Sequence, residues 1–111
     1  MSAPPVTSAT AGTTSSAADV LRVVADPVRL RILGLLGRES LCVCHLQQDL
    51  DLGQTLVSHH LRALRQAGLV ATEPAGRFTY YRLRPGALDA VRDVVDGLAH
   101  AARTDLPRRP C

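Results

Sequence analysis

Apolar residues recur at helical spacing in five segments of this 111-residue chain, and residues that favour helix ends flank several of them. The clearest start is Asp26 followed by Pro27, because an acidic N-cap accepts backbone hydrogen bonds and proline loses no N–H bond at the first helical position. Gly37 and Gly68 follow two of the periodic segments, where glycine commonly ends a helix. We predict helices over residues 16–25, 27–36, 43/44–51, 54–67 and 87–103.

Two short apolar runs separate the fourth helix from the last one. They cover residues 69–73 and 78–83, and a four-residue link containing Pro74 and Gly76 joins them. Such a link is typical of a β-hairpin loop. The element order is therefore four helices, a hairpin and a fifth helix, which predicts a mostly α fold with one β-hairpin.

The last predicted helix has an apolar side that no other predicted element covers. A short chain buries a limited share of its surface, and an aromatic content of 3% leaves a small, aliphatic core. We therefore expect a second copy of the chain to cover this helix. Its apolar residues are Leu88, Val91, Val94 or Val95, Leu98 and Ala102.

The length of the chain predicts one domain with a tail on each side. Residues 1–15 are rich in Ser, Thr, Ala, Pro and Gly without apolar periodicity, so we expect a disordered tail. The domain spans residues 16–103, and residues 104–111 are expected to form a flexible tail. The start resembles no signal peptide, and no apolar run approaches roughly 18 residues, so we expect a cytoplasmic protein without membrane contact.

Helices 43/44–51 and 54–67 are separated by a tight turn at Leu52 and Gly53, as in a helix-turn-helix. In that motif the N-terminal side chains of the second helix reach base edges in the major groove of double-stranded DNA. Arg77 in the hairpin loop would then lie near the adjacent DNA backbone. A net charge of +3 permits a polyanionic partner, but on this pattern alone a solvated helix face is an equally good interpretation. The candidate DNA-binding residues are Gln54, Thr55, Ser58, His59, Arg62 and Arg77.

The second helix of this motif carries two adjacent histidines, His59 and His60. Neighbouring residues on a helix point about 100° apart, which makes a shared metal ion a poor interpretation. We expect one histidine to face DNA and the other to pack or form a hydrogen bond.

Three stretches of the sequence resemble the ArsR/SmtB family of bacterial metalloregulatory repressors. They are DPVRLRIL at residues 26–33, VSHHLRALRQAGLV at residues 57–70 and GRFTYYRL at residues 76–83. The resemblance covers about residues 17–103 and implies a homodimer of winged helix-turn-helix subunits, joined through their first and last helices. It also implies a repressor that binds double-stranded operator DNA and leaves it when an inducer binds, which favours the DNA interpretation over the solvated face.

The segment LCVCHL at residues 41–46 resembles the sensor motif of arsenite-responsive family members, and also that of cadmium- and lead-responsive members. His45 stands where the motif has Asp, and Gln47 stands where the arsenite pattern has a third Cys. Thiolates select soft ions, and three sulfurs satisfy trivalent arsenic or antimony. We therefore predict As(III) or Sb(III) as the inducer. The predicted ligands are Cys42, Cys44 and Cys111.

Two alternatives to this inducer stay open. Cd(II) or Pb(II) is the alternative ion, since His45 offers a nitrogen donor. A persulfide or an oxidant is the alternative signal, because oxidation links thiols reversibly. An enzyme is not expected, since Cys-x-Cys is not the Cys-x-x-Cys redox motif and the sequence has no glycine-rich phosphate loop.

The Cys-x-Cys spacing also predicts how an ion would act. Residues two apart in a helix point about 200° apart, whereas alternate residues of an extended segment lie on one face. Chelation by Cys42 and Cys44 should therefore require the start of the helix to be unwound or bent. Unwinding would in turn move the second helix of the motif, which follows directly.

Overall fold

The computed structural model describes residues 17–103 and 107–111. Its elements, in chain order, are α1 (17–24), α2 (Pro27–Leu36), β1 (Leu41–Cys42), α3 (Val43–Leu50), α4 (Gln54–Gln66), β2 (Val70–Ala75), β3 (Phe78–Leu83) and α5 (Asp89–Ala101). The predicted disordered tail of residues 1–15 and Ser16 lie outside the described residues, as do residues 104–106 of the predicted C-terminal tail. Residues 107–111 form no regular secondary structure.

Helix α2 begins and ends where the sequence predicts. The Asp26 carboxylate accepts hydrogen bonds from the backbone N–H groups of Val28 at 2.8 Å and Arg29 at 3.1 Å. Pro27 stands at the start of the helix, and Gly37 is its C-cap. The bounds of this helix are therefore fixed by local bonds, which is why periodicity and capping residues predict them well.

The sheet has the strand order β1-β3-β2, with both pairs antiparallel. Strands β2 and β3 pair from Val70 opposite Leu83 to Ala75 opposite Phe78, so only two residues form the loop. The prediction of a four-residue link was wrong, because Gly76 adopts a φ of 63° and closes a tight turn. Pro74 can lie in β2 because β2 is an edge strand of the sheet.

Strand β1 was not predicted, since two residues are too short to show a periodic pattern. Leu41 pairs with Tyr81 and Cys42 pairs with Tyr80. This pairing joins the segment that carries the cysteines directly to the hairpin.

The core lies among α2, α3, α4 and the start of β2, and it is almost entirely aliphatic. Burial of each such side chain stabilises the fold by about 1.5–3 kcal/mol. Its members are Ile32, Leu33, Leu36, Leu41, Leu46, Leu50, Val57, Leu61, Leu64, Leu69 and Val70.

Helix α5 stands apart from this core. It starts two residues later than predicted, because residues 85–88 form a turn in which Gly86 adopts a φ of 76°. None of its side chains is buried, and Leu98 is 68% exposed. A groove of about 510 Å³ runs between α2 and α5, called here the apolar groove. Its lining includes Val24, Leu30, Leu33, Leu83, Val91 and Val95.

Among the residues that the structure describes, no helix combines the length and the apolar character needed to cross a bilayer.

Candidate DNA interface and cysteine site

Helices α3 and α4 form a helix-turn-helix with a three-residue turn. Asp51 ends α3 in the left-handed conformation, with a φ of 56°, and its N–H donates to the Gln47 carbonyl. Asp tolerates this conformation better than most residues because its short polar side chain can bond locally. Gly53 is the N-cap of α4 and provides no capping side chain, so the first N–H groups of α4 stay available to an anion.

The polar face of α4 brings together five of the six residues predicted to bind DNA. They line one shallow cavity of about 370 Å³, and all except half-buried Ser58 are exposed. The opposite face of α4 carries Val57, Leu61 and Leu64, which are buried in the core. The helix therefore holds a continuous polar surface outward. The five residues are Gln54, Thr55, Ser58, His59 and Arg62.

Arg77, the sixth predicted residue, lies at the tip of the β2–β3 hairpin and is exposed. It lines a second cavity of about 410 Å³, called here the junction cavity, together with Gln54 at the start of α4. Cys42 and Cys44 line the same cavity. Two candidate DNA-binding residues thus line the same cavity as two of the three candidate ion ligands.

The two cysteines of the Cys-x-Cys motif lie at the boundary between β1 and α3. Cys42 is the N-cap of α3 with extended backbone (φ −91°, ψ 172°), and Cys44 is the second helical residue. Their Sγ atoms are 3.2 Å apart. The expectation that the helix must first be unwound or bent was wrong, because Cys42 precedes the helix and its extended backbone already brings its sulfur close to that of Cys44.

The two thiols differ in acidity and exposure. Burial of Cys42 raises its pKa, but hydrogen bonds from the backbone N–H of His45 and from the Cys44 thiol outweigh this and hold the pKa below the usual value. The pKa of Cys44 is raised, first because its thiol donates to Cys42, then by burial and by the charge of Cys42. Cys42 is buried and Cys44 exposed. Cys42 is therefore the first of the two to become a thiolate.

His45 has a structural role at this boundary. The backbone N–H of Cys42 donates to His45 Nδ1 at 3.3 Å, and Nδ1 lies 3.4 Å from Cys42 Sγ. This is the reciprocal arrangement of a capping box, in which the third helical residue reaches back to the N-cap. The departure from the family motif at position 45 thus preserves the helix start.

Cys111 is exposed. Within the described ranges 17–103 and 107–111, no three side chains of His, Cys, Asp or Glu are grouped to hold a metal ion. The structure brings Cys42 and Cys44 together, and the role of Cys111 as a third ligand stays a prediction.

His60 is the histidine that packs, while His59 is exposed. His60 is 6% exposed, and its Nδ1 accepts a hydrogen bond from Arg29 Nε at 3.0 Å. Burial lowers the pKa of His60, with smaller opposed effects from Asp26, which raises it, and from Arg29 and His59, which lower it. The sequence predicted a packed histidine but not its partner, because 31 residues separate Arg29 from His60 and no local pattern links them.

A helix-turn-helix with an exposed polar second helix and an adjacent antiparallel hairpin defines the class of winged helix-turn-helix DNA-binding regulators. An ArsR-like transcriptional regulator from Rhodococcus sp. RHA1 superposes with a TM-score of 0.71 and 27% identity, over 82% of this chain and 86% of that one. The predicted fold class is confirmed.

The sequence relatives define the family. The model for bacterial regulatory proteins of the arsR family matches residues 26–72. An arsenical resistance operon repressor from Staphylococcus xylosus is 36% identical, over 69% of this chain and 74% of its own length. The chain belongs to the ArsR family of regulatory proteins, which confirms the resemblance and the expectation that it is not an enzyme.

Of two further relatives, one is named for arsenic resistance and the other is named as a repressor without an ion. The arsenic resistance transcriptional regulator ArsR1 of Pseudomonas putida is 39% identical over 74% of this chain, which spans 65% of that protein. The repressor SmtB of Mycobacterium tuberculosis is 41% identical over 78% of this chain, which spans 62% of that protein. Family membership therefore identifies a regulator and leaves its inducer to be argued from the cysteine site.

Proposed function

We propose that this chain is a transcriptional repressor that binds double-stranded operator DNA with the polar face of α4 in the major groove. The observation that carries the proposal is the gathering of five predicted base- or phosphate-contacting side chains on one exposed helix face. Arg77 at the hairpin tip lies where a wing would contact the adjacent backbone. The repressors among its relatives support the same reading.

The proposed repressor acts as a homodimer through α1 and α5. The apolar groove supports this arrangement, because contiguous apolar surface on a soluble domain usually marks an interface. Leu98 and Leu30 are 68% and 55% exposed in the single chain, and a second copy would cover them. Two copies related by a twofold axis would present two α4 helices to successive major grooves.

The proposed inducer is trivalent arsenic or antimony, bound by Cys42 and Cys44 and with Cys111 as the third sulfur. Two sulfurs 3.2 Å apart subtend an angle of about 90° at a central atom, if each bond is about 2.3 Å long as in zinc thiolates. That angle suits a pyramidal centre. A tetrahedral centre with the same bonds would hold the sulfurs about 3.8 Å apart, so Zn(II) or Cd(II) would require the two side chains to separate.

The proposed release mechanism uses the junction cavity. Cys42 belongs to β1, which pairs with β3 of the hairpin, and both cysteines share the cavity with Gln54 and Arg77. An ion held by the two sulfurs, together with its third ligand, would occupy the junction cavity and crowd the start of α4 and the hairpin tip. Crowding there would disturb DNA contacts made from two separate elements.

A second candidate signal is a thiol oxidant or a persulfide. The two sulfur atoms lie 3.2 Å apart, and the S–S bond of a disulfide is about 2.05 Å long. A movement of about 1 Å would therefore bring them to bonding distance. The lowered pKa of Cys42 favours its reaction as a nucleophilic thiolate.

The test is fluorescence anisotropy on DNA that the reduced protein itself selects from a random-sequence library. Arsenite, antimonite, Cd(II) and Pb(II) are titrated separately into the complex of the unchanged protein and of C42S, C44S and C111S. We expect release by arsenite or antimonite, lost in C42S and C44S and weakened in C111S. Release by Cd(II) or Pb(II) alone, or by a peroxide or persulfide alone, would replace the inducer and leave the DNA proposal intact.

A further inference from the structure

We infer that Arg29 and His60 form a positioning pair that fixes the orientation of α4 for DNA binding. The inference rests on the proposed function, since it concerns how α4 meets the major groove. His60 is one residue from His59 on the polar face, but it points inward and contacts Arg29 instead of solvent.

A single guanidinium joins three helices at this point. Arg29 is held at the start of α2, where its backbone N–H donates to the Asp26 carboxylate. Its Nε donates to His60 of α4 at 3.0 Å, and its Nη1 donates to the Val23 carbonyl of α1 at 3.2 Å. The planar guanidinium fixes these two donor directions relative to each other.

The hydrogen bond between Arg29 and His60 restrains α4 in a way that its apolar core contacts do not. Val57, Leu61 and Leu64 are buried and set the depth of the helix, but apolar contacts are non-directional. A hydrogen bond weakens steeply when its angle changes, so the bond to His60 resists rotation of α4 about its axis. A rotation of that kind would move Ser58, His59 and Arg62 out of the major groove of DNA while most of the core contacts of α4 remained.

The other end of the pair lies at the proposed dimer interface. Val23 belongs to α1, and the neighbouring Val24 lines the apolar groove that a second copy would cover. The pair therefore connects α1, which belongs to the proposed dimer interface, to α4, which is proposed to enter the major groove. In a dimer it would contribute to the spacing between the two α4 helices, which must match one turn of DNA, about 34–36 Å.

The test compares operator affinity with fold stability in four variants: R29A, H60A, the double variant and H60N. In H60N the amide oxygen takes the place of Nδ1 as acceptor. We expect R29A and H60A each to weaken operator binding about tenfold, the double variant to be no weaker than either, and H60N to regain most of the affinity. Binding to short non-specific DNA should change by less than threefold, since it depends on charge and not on helix orientation.

A pH series adds a readout that a purely structural role would not move. The charged or titratable groups facing His60 are Asp26 from the turn before α2, Arg29 from α2 and His59 from α4. A protonated His60 cannot accept from Arg29, so operator affinity should fall more steeply in the unchanged protein than in H60N as the pH drops through the lowered pKa of His60.

Three results would overturn the inference. The first is operator affinity within twofold of the unchanged protein in H60A and R29A, even if their thermal midpoints fall. The second is equal loss on operator and non-specific DNA, and the third is additive losses in the double variant. Failure of the unchanged protein to select any DNA would instead overturn the proposed function, and the inference with it.

Discussion

Cys42 combines three structural roles in one residue. It ends β1, caps α3 and carries the more acidic thiol of the Cys42–Cys44 pair. These roles place different demands on a substitution at position 42. The helix cap needs a hydrogen-bond acceptor, and the proposed ion needs a sulfur ligand. Serine keeps the first property and removes the second.

We predict that C42S leaves the free energy of unfolding within about 0.5 kcal/mol of the unchanged protein, whereas C42V lowers it by about 1 kcal/mol through loss of the cap. Both should abolish the sulfur-to-ion absorption band that appears when arsenite or Cd(II) is added. Urea denaturation and ultraviolet difference spectra measure the two effects. C44S serves as the control, since Cys44 caps nothing. A C42V protein as stable as C42S would contradict the capping role.

His60 is a second single residue with a measurable effect, because its protonation makes the stability of the fold depend on pH. Its pKa in the folded protein lies below the ordinary value of 6.5, so the unfolded chain binds more protons than the folded one when the pH falls below 6.5. The contribution of His60 to stability is therefore complete above pH 6.5. It is lost progressively as the pH falls from 6.5 through the lowered pKa of the folded protein.

The measurement is a set of urea denaturation curves from pH 7.5 to 5, compared between the unchanged protein and H60N. The unchanged protein should lose stability over this interval, and H60N should lose less because its amide does not titrate. Parallel curves for the two proteins would show that His60 does not cause the dependence.

At the scale of elements, α4 makes the sharpest prediction. R62A should weaken operator binding about tenfold and lower the slope of log affinity against log salt by about one if Arg62 contacts a phosphate. R103A is the matched control, since it removes the same charge from an exposed residue just beyond α5 that does not line the α4 cavity. Anisotropy at several salt concentrations measures both quantities. Equal effects of R62A and R103A would indicate a general charge effect and contradict a specific contact.

Some of these elements could be predicted from the sequence and others could not. The bounds of α2 and the polar face of α4 follow from local rules, namely a cap beside proline and a helical period with polar and apolar sides. Strand β1 escaped prediction because its partner residue Tyr81 lies forty positions further along the chain. The Cys-x-Cys geometry was misjudged because the spacing argument treated both cysteines as helical, whereas Cys42 is the extended N-cap before a helix that starts at Val43, within the predicted bounds.

At the scale of the whole molecule, a single chain leaves apolar surface uncovered. Helix α5 buries no side chain, and the apolar groove is open. We predict that L98D makes the protein monomeric at concentrations where the unchanged protein is dimeric. H100D is the matched control, since residues two apart on a helix point about 200° apart and His100 faces away from Leu98.

Sedimentation velocity measures the oligomeric state, and anisotropy measures the accompanying loss of operator binding. We expect L98D to lose at least tenfold in operator affinity, because one α4 helix then binds one half-site alone. A dimeric L98D protein, or a monomeric H100D protein, would contradict the placement of the interface.

The preformed sulfur pair has a consequence for timing. Because Cys42 and Cys44 stand 3.2 Å apart at a helix start that is already folded, capture of the proposed ion by these first two sulfurs would need no prior local unfolding. Local unfolding steps take from microseconds to seconds, and each would delay a response by its own waiting time. Here the delay between exposure to the ion and derepression would be set by ligand exchange at sulfur and by dissociation from DNA. The response rate of such a sensor would then be limited by these two steps and not by a conformational change at the cysteines.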